Sequence, residues 1–163
     1  MREYRGKWID TGEWVNGWFL RQPNFDSKNC GYLIADLATQ AWLPVDPKTI
    51  GQLIGRCDEN GKEIYEGDIV KKCVEIKIYD NNWKKWNSYK KTDVIFTVEY
   101  TNDAKIAHWM GNVAMYRLAN PVILEFPNDS SYRYDNLNDY YFRANEIEVI
   151  GNIHDNPELI DAT

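Results

Sequence analysis

Apolar positions along this chain come in short runs, each closed by glycine, proline, asparagine or aspartate, a pattern that predicts strands rather than helices. Tyr4 to Ile9 and Trp14 to Leu20 flank Asp10-Thr11-Gly12-Glu13, which has the turn chemistry of a hairpin. Arg21 to Asn29 is polar and carries Pro23, so it reads as a loop. Gly31 to Leu37 and Ala41 to Val45 are two further short strands, and Pro44 and Pro47 close this first part. Gly51 to Arg56 runs into Asp58-Glu59-Asn60-Gly61, where Asn-Gly suits a tight turn because both residues tolerate positive φ. Ile64-Tyr65 is a brief strand, Glu66-Gly67-Asp68 bends the chain, and Ile69 to Ile78 continues as a strand of β-branched residues and lysines.

Tyr79 to Lys91 is hydrophilic apart from its aromatics and reads as a long hairpin tip. Val94, Phe96, Val98 and Tyr100 alternate with other residues, which places the four on one face of a strand. Thr101-Asn102-Asp103 turns that strand and Lys105 to Met110 returns it. Val113 to Leu118 and Val122 to Phe126 are expected as two strands separated by Asn120-Pro121. Asn128 to Tyr141, rich in Asn, Asp, Ser and Tyr, reads as an extended loop or insertion. Glu146 to Ile153 is the last strand, with Ile147 and Val149 inward and Gly151 marking a bulge or a close backbone approach. Asp155-Asn156-Pro157-Glu158 has the capping residue, early proline and acidic first turn of a short helix. The fold class is mainly β.

Composition strengthens that reading and removes several functions. A chain of 163 residues fits one compact domain or a barrel with a smaller appended layer. Seven Trp and eleven Tyr within a 44% hydrophobic fraction fill a small core with few residues and favour strands. A net charge of −6 works against indiscriminate attraction to nucleic acid or anionic lipid. Cys30, Cys57 and Cys73 are odd in number, widely spaced and free of any CxxC, so neither a disulfide framework nor a zinc ribbon is expected. The amino terminus is charged and carries no apolar signal segment, and no run is long enough to cross a membrane. A cytoplasmic protein is expected.

Three segments could carry chemistry. Glu66-Gly67-Asp68 sets two carboxylates one residue apart, a pair that could bind a metal or exchange protons. Turn chemistry accounts for the same residues more simply, with positive φ at Gly67 and a backbone hydrogen bond to Asp68. Trp83, Lys84, Lys85, Trp86, Tyr89, Lys90 and Lys91 interleave cations with rings, the composition of a single-stranded nucleic-acid surface. Lysines flanking aromatics also protect hairpin tips from aggregation, and Asp80 and Asp93 dilute the patch. Tyr132, Tyr134, Tyr140 and Tyr141 give the 128–141 segment the composition of a recognition loop, or of an insertion packed back on its own domain. His108 and His154 have no partner at a diagnostic spacing. No P-loop, dinucleotide fingerprint, nucleophile elbow or HExxH occurs, so no catalytic residue, metal or cofactor is assigned.

The run Asp58-x-Asn60-Gly61-Lys62-x-Ile64-Tyr65-Glu66-Gly67-Asp68-Ile69-Val70, entered from Gly51-Gln52-Leu53-Ile54-Gly55, resembles the signature of the YopX family of bacteriophage and prophage proteins. Glu148-Val149-Ile150-Gly151-Asn152-Ile153-His154-Asp155-Asn156-Pro157-Glu158-Leu159-Ile160 is a second, ordered match. Arg56 and Cys57 depart from the pattern, where an apolar and a polar residue are usual. The resemblance implies a small SH3-like barrel in the C-terminal part, preceded by a smaller N-terminal region, and no known activity. On that basis residues 1–49 are expected to form an N-terminal hairpin region packed on a barrel spanning 50–163, with insertions near 79–91 and 128–141. Asn60, Gly61, Gly67, Asp68, Gly151 and Pro157 are then structural turn residues. The expected function is that of a non-enzymatic phage accessory protein that binds a protein partner or itself, and the alternative is a single-stranded nucleic-acid module using 83–91.

Overall fold

A computed structural model describes residues 3–22, 31–79, 86–100, 116–123 and 144–161. The expected insertion at 128–141, the strand ending at Met110, His108 and Cys30 lie outside these residues. The described chain is almost entirely strand, in two sheets. The chain divides into two compact units, Met1–Arg56 with Glu63–Glu66, and Cys57–Lys62 with Gly67–Thr163.

The first unit holds β1 (Glu3–Lys7), β2 (Trp14–Arg21), β3 (Tyr32–Asp36), β4 (Trp42–Pro44), β5 (Gly51–Cys57, of which Cys57 belongs to the other unit) and β6 (Glu63–Tyr65). They form one sheet in the order β4-β3-β2-β1-β5-β6. The expected N-terminal hairpin is present, with Lys7 opposite Trp14 and Gly12 at φ +74° in its turn. The sheet curls until the far ends of β1 and β4 meet: Trp8 bridges Val45, Asp46 N–H donates to the Lys7 carbonyl at 2.9 Å, and Ile9 N–H to that of Pro44 at 3.0 Å. Inside the curl lie Val15, Ile34 and Val45, with Tyr4, Trp8, Phe19, Tyr32, Leu43 and Ile50 packed around them.

So tight a curl depends on residues without side chains. A Cβ added at Gly17 would stand 1.8 Å from the Ala35 carbonyl oxygen, and one at Gly6 would stand 3.1 Å from Val45 Cβ. The first obstacle is backbone in a paired strand; the second is a side chain with some room to give.

The second unit holds β7 (Asp68–Tyr79), β8 (Trp86–Tyr100), β9 (Tyr116–Ile123) and β10 (Glu148–Asn152) in the order β10-β7-β8-β9. Its core includes Ile69, Val70, Val94, Ile95, Phe96, Val98, Ile147 and Val149. Alternation predicts one buried face for β8, yet Ile95 and Thr97 are buried as well as Val94, Phe96 and Val98, so this part of the strand is covered on both faces. The strands expected on either side of Asn120-Pro121 are one strand, β9, at the sheet margin. The register slips there, with Thr97 opposite Ala119 and Ile95 opposite Val122. A bulge on an edge strand is where proline, lacking an N–H, is tolerated.

Two expectations change. No closed barrel is formed among the described residues: β5 and β6 pair into the first sheet, and the second is open between β10 and β9. The C-terminal helix is a single 3-10 turn, Pro157–Leu159. Asn156 occupies the capping position without a side-chain cap bond, because its Oδ1 turns back to accept from Asn152 N–H at 3.4 Å.

Gly17→Ala is expected to cost about 3 kcal/mol and Gly6→Ala about 1 kcal/mol, since overpacking against fixed backbone is the less relievable of the two. Urea unfolding of both variants checks the order.

Candidate functional site

A dense polar structure among the described residues of the second unit is centred on Asp58, 6% exposed. Its Oδ1 accepts from Asn60 N–H at 2.9 Å and Lys62 N–H at 2.8 Å, and its Oδ2 from Val149 N–H at 2.9 Å. Backbone bonds close the same turn, from Gly61 N–H to the Asp58 carbonyl at 3.0 Å and from Asp58 N–H to the Lys62 carbonyl at 2.8 Å. Glu59 N–H donates to the Ile147 carbonyl at 3.0 Å. Burial pushes the Asp58 carboxyl up, but the N–H groups of Val149, Lys62 and Asn60, with the Lys62 charge, hold it below its ordinary value. Positive φ in this turn falls on Gly61 alone, at +82°; Asn60 does not adopt it, and a glycine after a hydrogen-bonded turn is sufficient.

The remaining signature residues extend the same assembly. Gly67 has φ +82°, donates to the Val98 carbonyl at 2.9 Å and accepts from Ile153 N–H at 2.9 Å. Asp68 is 1% exposed, opposite Asn152 in the β7–β10 register. Gly151 follows a register shift after Val149, so the bulge is present; what a Cβ there would meet is the Asn156 side chain, 2.6 Å away at Oδ1, rather than backbone. Pro157 opens the terminal turn. Lys71 and Glu148, paired across the two strands, form a 2.6 Å ion pair that raises the lysine above its ordinary value. Segments some ninety residues apart thus make one structure, as the 91-residue span of the Asp58–Val149 bond shows.

The described candidates for catalysis are each placed by local bonds. Glu66 is half-buried and its carbonyl accepts from the Arg5 guanidinium at 3.4 Å. His154 sits in the turn after β10, its N–H bonded to Asn152 Oδ1 at 2.9 Å. Among the described residues no three His, Cys, Asp or Glu side chains converge as a metal site. No helix among them is long and apolar enough to cross a membrane. Trp83, Lys84 and Lys85 lie outside the described residues. Trp86, Tyr89 and Lys90 belong to β8, so the expected hairpin tip is strand as far as the Tyr79–Trp86 pair, and Lys91 is exposed.

Among the described residues an apolar surface lies on the outer face of the first sheet, open at Trp42 and Leu20 and closed over Ala35, which is buried. Strand register sets Trp42, Ala35 and Trp18 in a row across β4, β3 and β2, with Pro44, Leu33 and Leu20 in the row beside it. These residues alternate with Ile34 and Phe19, which face the interior of the curl, so both faces of this sheet are apolar. Trp42 is 51% exposed and Leu20 38%. Further along the face, the Arg5 guanidinium lies 4.8 Å from the Trp14 ring and 4.9 Å from the Tyr65 ring, and Lys7 lies 5.5 Å from Trp14. The Tyr65 hydroxyl donates to Glu63 Oε2 at 3.0 Å.

Comparison with known families finds that the model of the YopX protein family matches residues 3–161, through both units and both signature segments. The chain belongs to the YopX family. That family comprises bacteriophage and prophage proteins of unknown biochemical function, with no known enzymatic activity. No curated protein matches the chain. The YopX signature is therefore read as the Asp58 assembly: its residues close a turn, set a bulge and bond one strand to another.

Asp58→Ala leaves three N–H groups short of an acceptor, and a loss of about 1–3 kcal/mol is expected near neutral pH. Because the folded carboxyl titrates below its unfolded value of about 3.9, the unfolded chain binds more protons between the two. The stabilisation is complete above that value and disappears as pH falls through the folded one. Urea unfolding against pH should therefore show the difference between wild type and Asp58→Asn shrinking on acidification below about pH 4.

Proposed function

We propose that this YopX-family protein is a non-enzymatic binding protein whose working surface is the outer face of its first sheet, taken by a protein partner or a second copy. The observation that carries this is the row Trp42, Ala35, Trp18 with Leu20 and Leu33 beside it, on a sheet whose opposite face is already a core. Exposed apolar surface of this kind marks contact sites, and tryptophan is prominent among residues that carry binding energy. The free, exposed thiols of Cys57 and Cys73 support a reducing compartment, the cytoplasm of the bacterial host.

The nucleic-acid reading draws on Lys91, exposed where β8 runs on from the Trp86–Lys90 stretch. Against it stand the net charge of −6 and the register that sets Glu75 opposite Lys91.

Light scattering on the purified protein and capture from lysogenic host cells test the proposal. Leu20→Lys/Trp42→Lys should keep the wild-type melting temperature and weaken self-association or capture by at least about 2 kcal/mol. A wild type that is monomeric and captures the same proteins as the variant removes this face from the function. Salt-sensitive binding of single-stranded DNA, lost when Lys84, Lys85, Lys90 and Lys91 become alanine, would move the site to the 83–91 segment.

A further inference from the structure

Asparagine followed by glycine occurs twice in the chain, at Asn16-Gly17 and at Asn60-Gly61. The pair is chemically labile, because a glycine leaves the next peptide nitrogen unshielded and its backbone free to rotate toward the asparagine side chain. Asn16-Gly17 lies inside β2, between β1 and β3, with Gly17 buried. Asn60-Gly61 is exposed, and a Cβ added at Gly61 would meet nothing within 4 Å. Water reaches the second pair, so conformation and hydrogen bonds are what restrain it.

Gly61 N–H donates to the Asp58 carbonyl at 3.0 Å, which makes 58–61 a hydrogen-bonded β-turn. Among the described residues no peptide is cis, and neither Glu59 nor Asn60 has positive φ, so the turn is type I. Asn60 then has φ of about −90° and ψ of about 0°. That ψ eclipses the Gly61 nitrogen with the backbone nitrogen of Asn60 and turns it away from the Asn60 side chain, while its proton is held by the Asp58 carbonyl. The turn itself is clasped by the Asp58 carboxylate, on Asn60 and Lys62 N–H through Oδ1 and on Val149 N–H through Oδ2.

We propose that Asn60-Gly61 is a self-modification site that the Asp58 clasp keeps shut, and that opening of the turn commits it to aspartate or isoaspartate. In the open turn the Gly61 nitrogen, its proton lost to water, attacks Asn60 Cγ. A C–N bond forms, and the side-chain nitrogen leaves as ammonia with a proton taken from solvent. Water then adds at either carbonyl of the succinimide and breaks its bond to the ring nitrogen. Opening at one carbonyl leaves aspartate. Opening at the other leaves isoaspartate, whose main chain runs through the β-carbon and is longer by a methylene. A type I turn closed from Asp58 to Gly61 does not accommodate that length, so the clasp on Val149 is lost with it.

The test holds the full chain in mildly alkaline buffer and follows tryptic peptides 57–62 and 8–21 by mass and retention, which read the exchange of amide for acid at each Asn-Gly. In guanidinium chloride both sites should convert at similar rates. In the folded wild type, conversion at Asn60 should be slower by roughly tenfold or more, the scale on which losing a charge-assisted hydrogen bond opens a turn. Asp58→Ala should remove most of that protection, while Asn16 stays silent and the β8 amides stay protected from hydrogen exchange. Asp58→Asn is the second variant and decides the matter if Asp58→Ala does not fold. It keeps an oxygen for the turn, loses the charge and the acceptor for Val149, and should convert Asn60 at an intermediate rate. Folded wild type that converts Asn60 as fast as the denatured chain overturns the proposal. So does a folded Asp58 variant that converts it no faster than wild type.

Discussion

One buried carboxylate organises the second unit. Asp58 can be 6% exposed and still charged because three backbone N–H groups stand in for the water it gives up. The dependence runs both ways. Asn60 and Lys62 would otherwise lack an acceptor inside the turn, and Val149 would lack one on its outward side. A neutral side chain of the same size could satisfy part of this set, but only a carboxylate offers two acceptor oxygens pointing in different directions. The turn and β10 therefore hold each other across the 91 residues that separate Asp58 from Val149.

The first sheet depends on a different constraint, the distance between backbones. Its strands curl until Trp8 meets Val45, and the interior of that curl leaves no room for a Cβ at Gly17. Here a small number of large rings does the filling, with Tyr4 and Phe19 at 5.2 Å between centroids and Phe19 and Tyr32 at 6.1 Å. Rings give much buried area per residue, so a sheet with few inward positions can still hold a core. The same economy leaves little to distinguish the two faces of β2 by composition, since Trp14, Trp18 and Leu20 share one face while Val15 and Phe19 share the other.

That is why strand existence was readable in the chain, while strand partnership was readable only where a hairpin turn joins neighbours, as between β1 and β2. Turn residues act locally, so Gly12, Gly61, Gly67 and Gly151 announce their turns and bulge in the sequence. Gln40, at φ +59°, gives no such signal; its turn is held by Asp36, whose Oδ2 accepts from both the N–H and the hydroxyl of Thr39. The barrel expectation failed among the described residues because β5 and β6 pair into the first sheet, and pairing choice is a long-range property that no local pattern carries. The role of Asp58 was half legible. An aspartate three residues before the glycine of Asn-Gly signals a side-chain-closed turn, but nothing local tells that its second oxygen reaches Val149.

A signature that specifies a closed turn bonded to β10, a bulge and two positive-φ glycines is a specification of scaffold. The Asp58 hydrogen bonds agree: all three that its carboxylate accepts come from backbone N–H groups, so the side chain is committed to holding its own fold. Specificity in a protein built this way has to come from positions the scaffold does not constrain. On the first sheet these are the outward residues, where Trp42 and Leu20 meet solvent on the reverse of a completed core. A polar side chain there would leave the inner packing untouched, so the proposed contact with another macromolecule is what would give a half-exposed tryptophan a role beyond the fold.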